Sequence, residues 1–183
     1  MKTEALERYL NSFGKQIVKQ AKGNLSAAGK GGALSNSIDF FVIRKGGSIT
    51  VRFKMNSYGT FVDKGVSGTN KTKSFKDYKG KVIKSPYKFG TGSSKVGKAK
   101  GGMSGIMAKW VKKKGFQWRD KNGRFMSHKS MGYIIARSIY SKGIQGISFF
   151  QKPLMLGMKQ FSSKFGKAIA DDIVNSLRQQ KIA

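Results

Sequence analysis

The chain carries one histidine, His128, flanked by Ser127 and Lys129 at the predicted start of a helix. A lone imidazole in that place reads as a surface or capping residue rather than a general base. Cysteine is absent, which excludes a thiolate nucleophile, a disulfide framework, a thiolate zinc site and an iron–sulfur cluster. Asp171-Asp172 is the acidic pair near the C-terminus. Adjacent helix positions point to different faces, so the pair reads as a solvated helix face and not as a bidentate metal site. Gly92-Ser93-Ser94-Lys95-Val96-Gly97-Lys98-Ala99 has the glycine and lysine spacing of a phosphate-binding loop. Ala99, however, stands where a magnesium-holding Ser or Thr is needed, and no buried strand leads into the segment. The expectation is a protein that is not an enzyme, with no catalytic residue, metal or cofactor.

Charge is the stronger signal. Lys and Arg number 37 against 8 Asp and Glu, a formal net charge of +29, and 30 of the 37 cations are Lys. Such a chain repels itself unless an anionic surface neutralises it. Lys is a hydrated point charge, whereas Arg forks onto base edges, so a Lys excess suits neutralising a phosphate backbone better than reading sequence. The cations are dense in residues 64–102, which hold eleven Lys, one acid (Asp77) and eight Gly. Lys71, Lys73, Lys76, Lys79, Lys81, Lys84, Lys88, Lys95, Lys98 and Lys100 recur there, with Phe75, Tyr78, Tyr87 and Phe89 between them. A segment so poor in aliphatics cannot offset its ordering entropy by burial. It is expected to be a long basic loop or arm, at about 66–102, that contacts DNA or a partner. Its aromatics are suited to stacking on bases if single strands are bound. No zinc-finger, RNA-recognition or helix-turn-helix signature accompanies it.

An anionic membrane is the poorer counter-surface. No apolar run approaches the ~20 residues of a span, and no lipidation signal is present. The segment Met1-Lys2-Thr3-Glu4-Ala5-Leu6-Glu7 is not a secretory leader, because it carries acids and no apolar core.

The elements that must position these residues follow from hydropathy period. Leu6, Tyr9, Leu10, Phe13, Ile17 and Ala21 predict an amphipathic helix over 3–22, with Thr3 as its cap and Gly23-Asn24 as its stop. A Gly-rich loop follows at 27–32. Alternation over 37–44 and 48–55 predicts a β-hairpin turning at Lys45-Gly46-Gly47. Met103, Ile106, Met107, Trp110 and Val111 give a helix over 103–114. Residues 116–126 read as a short hairpin turning at Asn122-Gly123, and 128–142 as a helix stopped by Gly143. Pro153 opens a last helix, with a stripe of Leu154, Met158, Phe161, Phe165, Ile169, Ile173 and Leu177. The fold expected is α+β: a small antiparallel β-sheet of hairpins packed against several helices, with a long basic loop insertion, in a single domain over 1–183.

Three stretches together resemble a known family. They are Tyr58-Gly59-Thr60-Phe61-Val62-Asp63-Lys64-Gly65, then Ile134-Ile135-Ala136-Arg137-Ser138-Ile139-Tyr140-Ser141-Lys142-Gly143-Ile144, then Phe149-Phe150-Gln151-Lys152-Pro153-Leu154. In this order they resemble the tail-completion, or head–tail joining, proteins of tailed bacteriophages. The resemblance covers the N-terminal helix, the hairpin and the last fifty or so residues, and residues 66–127 depart from it. It implies a non-enzymatic, homo-oligomeric ring in the virion neck, made in the host cytoplasm. Its implied partners are portal or adaptor and tail proteins, with packaged double-stranded DNA passing through the ring and no membrane. Tyr58, Phe61, Phe149, Phe150 and Pro153 become candidate subunit-interface or packing residues, with the two roles left open. The alternative is a non-sequence-specific nucleic-acid-binding protein that acts through the basic arm without a ring.

Overall fold

A computed structural model describes residues 3–89 and 102–180. The fold is α+β. Helix α1 spans Glu4–Ala27 and α2 spans Ala33–Ser37. Strands β1 (Asp39–Lys45) and β2 (Ser48–Lys54) pair antiparallel, from Asp39 opposite Lys54 to Lys45 opposite Ser48. Helix α3 (Gly59–Lys64) follows, then the three-residue strands β3 (Ser74–Lys76) and β4 (Val82–Lys84), which form a second ribbon. Helices α4 (Met103–Lys114), α5 (His128–Lys142) and α6 (Gln151–Gln180) complete the chain.

The chain divides into two compact units. The first comprises residues 1–63, 76–83 and 147–183, and the second 64–75 and 84–146. The first is built on α1 and α6, which run antiparallel. Leu6, Leu10, Phe13, Ile17, Ala21 and Leu25 recur at helical spacing and are buried. Each fully buried aliphatic side chain contributes about 1.5–3 kcal/mol. Phe161 closes the seam edge-on to Phe13 at 5.1 Å between ring centres and beside Tyr9 at 5.7 Å. A core of Ala21, Leu25, Leu34, Ile38 and Phe149 lies at the other end, with Val62, Ile147 and Phe150 packed on it. The β1–β2 hairpin covers α1 through Phe40, whose ring fills the space that a Cβ at Gly14 would occupy.

Helix α1 outruns its expected end at residue 22 by five residues. Leu25 is fully buried and Asn24 donates to the Phe149 carbonyl at 3.2 Å, so tertiary contacts override the Gly23-Asn24 stop. Thr3 makes no capping bond. The cap comes from the far end of the chain instead. Asp172 on α6 is 3% exposed and accepts from the Ala5 amide at 2.8 Å and the Leu6 amide at 2.9 Å. This corrects the expectation for Asp172, which is not on a solvated face; Asp171 is exposed. The stripe on α6 is corrected with it. The packed face runs through half-buried Gly157, Phe161 and Phe165 to buried Ala168 and Asp172; of the expected stripe, Leu154, Phe161, Phe165 and Ile169 are half-buried, while Met158, Ile173 and Leu177 are exposed.

In the second unit α4 and α5 pack closely. Gly132 has no room for a Cβ against the backbone of Ser104 and Ala108, and Val111, Met131 and Ala136 are fully buried. Ser127 caps α5 by accepting from the Ser130 amide at 3.1 Å.

Candidate nucleic-acid interface

The described part of the expected arm is tied down rather than free. Val66 pairs with Ile144, and Ser67 with Lys88. Ser67 is a buried hub: its amide donates to the Tyr87 carbonyl, its carbonyl accepts from Phe89, and its hydroxyl accepts from the Lys73 amide at 3.0 Å. The Thr69 and Asn70 amides donate to the Tyr140 and Ser141 carbonyls. These bonds order a segment that hydropathy alone cannot, because they satisfy its backbone in place of apolar burial. Gly65 takes φ 76° and abuts the backbone of Ile144 and Gly146, a place that a side chain would fill.

The lysines expected to act together are divided between the units. Lys71, Lys73, Lys84 and Lys88 belong to the second, whereas Lys76, Lys79 and Lys81 belong to the first. All are exposed except half-buried Lys73. Lys95, Lys98 and Lys100 lie outside the described residues, as does the near-match to a phosphate loop. The arm's aromatics are largely consumed internally. Phe75 is buried beneath Lys64, whose Nζ sits 5.6 Å from its ring centre, and Phe89 stacks on Tyr140 at 5.6 Å. Tyr78 stays exposed under Lys79.

The exposed rings lie further along. Helix α4 ends in Lys112-Lys113-Lys114, which favours the negative end of its dipole, and Gly115 closes it in the left-handed conformation. Phe116 folds back to 5.3 Å from Trp110. A bridge from Arg119 to Phe125 then closes a loop in which Asp120 accepts from the Asn122 and Arg124 amides, both at 2.9 Å. The expected hairpin at 116–126 is thus reduced to a single bridge. Arg119 lays its guanidinium 4.5 Å from the Phe125 ring centre. Residues 112–125 are exposed without a break. Trp110, Phe116 and Trp118 are 41–42% exposed and Phe125 63%. Sequence reasoning missed this cluster because it assigned these rings to a helix stripe and a hairpin. The signal was present: aromatics alternate with cations over 109–125 as they do over 71–89.

Electrostatically the second unit is bare. It holds eighteen Lys and Arg against one acid, Asp120, and that carboxylate closes its own turn. Elsewhere Asp39, Asp63, Asp77 and Asp172 also accept from backbone amides. Among the described residues the one ion pair joins Arg44 to Glu7 at 3.3 Å. Among those residues no three His, Cys, Asp or Glu side chains gather as for a metal, and no helix is long and apolar enough to cross a membrane.

The candidate interface residues of the family resemblance gather in the first unit. Asp63, 3% exposed, accepts from the Phe150 amide at 2.8 Å and from Gln151 at 3.4 Å, capping the start of α6. The Ile147 and Ser148 amides donate to the Val62 and Asp63 carbonyls. Phe149 and Pro153 are core, and Phe150 packs edge-on to Phe53 at 5.2 Å, so these three pack within the chain. Tyr58 and Phe61 are each 43% exposed. No protein-family model, curated protein or solved structure matches the chain.

Proposed function

We propose that this protein is a non-enzymatic structural subunit of the neck of a tailed bacteriophage, a tail-completion or head–tail joining ring component beside the DNA channel. The observation that carries the reading is the Asp63 node. Two stretches of the resemblance, Tyr58–Gly65 and Phe149–Leu154, lie about ninety residues apart in sequence and meet at one buried carboxylate that caps α6. Their meeting gives the two stretches a shared structural role, which supports the reading. The second unit's eighteen cations against one acid give such a ring a phosphate-neutralising surface. The neighbours are portal or adaptor and tail proteins, and copies of the chain meet through heterologous contacts that close.

Quantitative mass spectrometry of purified virions tests this. A small fixed ratio to the portal subunit is the expected result, and absence from particles overturns the reading. The second reading, a non-specific nucleic-acid-binding protein without a ring, is favoured by the second unit's eighteen cations against a single acid. It predicts tight duplex binding by the isolated chain, with a steep linear fall of log K against log salt.

A further inference from the structure

Phosphate neutralisation does not explain the rings of the second unit. A surface that only tracks a duplex backbone needs cations, and exposed aromatics add nothing to it, because base faces inside a duplex are already stacked. Yet Phe116, Trp118 and Phe125 stand 41–63% exposed within the continuously exposed stretch 112–125, with Trp110, 41% exposed, just before buried Val111, beside Lys112, Lys113, Lys114, Arg119, Lys121 and Arg124. Their positions are held rather than floppy. Trp110 and Phe116 are in ring contact across the Gly115 cap. The Trp118 carbonyl accepts from the Met126 amide at 2.9 Å, and the Asp120 turn lies between Arg119 and Phe125, whose guanidinium and ring centre are 4.5 Å apart. A guanidinium–aromatic pair of this kind offers a ready platform for a base.

We propose that the 110–125 segment binds single-stranded nucleic acid, with unpaired bases stacking on Trp110, Trp118 and the Arg119–Phe125 pair while the flanking lysines follow the phosphates. The charge of the unit selects the occupant. Eighteen cations and one internally bonded acid fit a polyanion, and the rings fit bases without regard to sequence. The inference rests on the polyanion-contacting part of the function proposed above and does not depend on the ring.

Trp110 and Trp118 are the two tryptophans of the chain, so intrinsic emission reads this segment with no other tryptophan contributing. The experiment titrates the full chain with oligothymidylate of about 16 nucleotides, a duplex of equal length, and inorganic polyphosphate. Binding is followed separately by calorimetry. Oligothymidylate is expected to quench the emission, while duplex and polyphosphate bind without quenching. Trp110→Leu and Trp118→Leu are each expected to weaken oligothymidylate binding roughly tenfold and to leave polyphosphate binding within about twofold, since no charge is lost. Each variant keeps one reporter. Trp110→Phe, which keeps a ring, is expected to restore most of the affinity and controls for misfolding. Equal binding of single strand and duplex with unchanged emission overturns the inference while leaving the polyanion reading intact. Failure to bind any of the three probes overturns both. Shielding of both tryptophans by an acidic protein, with no response to oligothymidylate, overturns it in favour of protein docking.

Discussion

The two units use their carboxylates in the same way and differ in how far acids offset their positive charge. In the first, Asp172 caps α1 and Asp63 caps α6, both buried and both reaching across more than eighty residues of sequence. Seven of the eight acids are there, against nineteen cations, around the larger apolar core. In the second, the single acid closes a five-residue turn, and the core reduces to Phe75, Val111, Met131 and Ala136. Acids engaged with backbone amides are withheld from lysines. The first unit therefore gains helix order from its carboxylates, whereas the second keeps its cation field unquenched at a cost in self-repulsion.

The contrast can be broken from the first side with Asp172→Ala. Two helix amides lose a buried charged acceptor, with an expected loss of about 3 kcal/mol in the first unit. Denaturant unfolding followed by circular dichroism reads the loss. Tryptophan emission, which reports the second unit alone, should be unchanged before the transition. An unchanged unfolding midpoint would show that water replaces the cap. A smaller effect is expected from Asp120→Ala, about 1 kcal/mol, because its turn is exposed. Hydrogen exchange should show the loss confined to residues 118–126. Smallest in stability is Lys112→Gln with Lys113→Gln and Lys114→Gln, which removes favourable charge from the end of α4 and costs a few tenths of a kcal/mol, roughly. The same variant sharpens the comparison elsewhere, since the salt slope of polyphosphate or DNA binding should fall by up to about three. An unchanged slope would place the binding surface on other lysines.

Much of the fold was legible because strong periodicity and local stops agreed. The predicted helices at 103–114 and 128–142 match α4 and α5 residue for residue, and the hairpin strands lie within two residues of 39–45 and 48–54. The misses are places where distant residues decide. Thr3 looked like a cap, but its role is taken by an aspartate 169 positions further on, which no local rule can find. The α6 stripe was drawn through Ile173 and Leu177 because hydropathy favours them. The face that packs uses Gly157, Ala168 and Asp172, small or polar residues that let α1 approach. The charge of the candidate surface was legible, but the exposure of its rings was not. Composition shows which segments are cationic; it does not show that Phe75 and Phe89 turn inward while Trp118 and Phe125 turn out.

The bond from Asp172 to the amides of Ala5 and Leu6 also sets an order of events during synthesis. Helix α1 is made before α6, so its leading amides lack their cap until the 167 residues from Ala5 to Asp172 have followed. Until then its apolar face lacks the partner helix as well, since α6 follows the other described elements. The highly cationic middle of the chain is meanwhile exposed beside an anionic ribosome. The first unit therefore completes its cap and its apolar seam only when α6 docks on α1, a contact of long sequence separation.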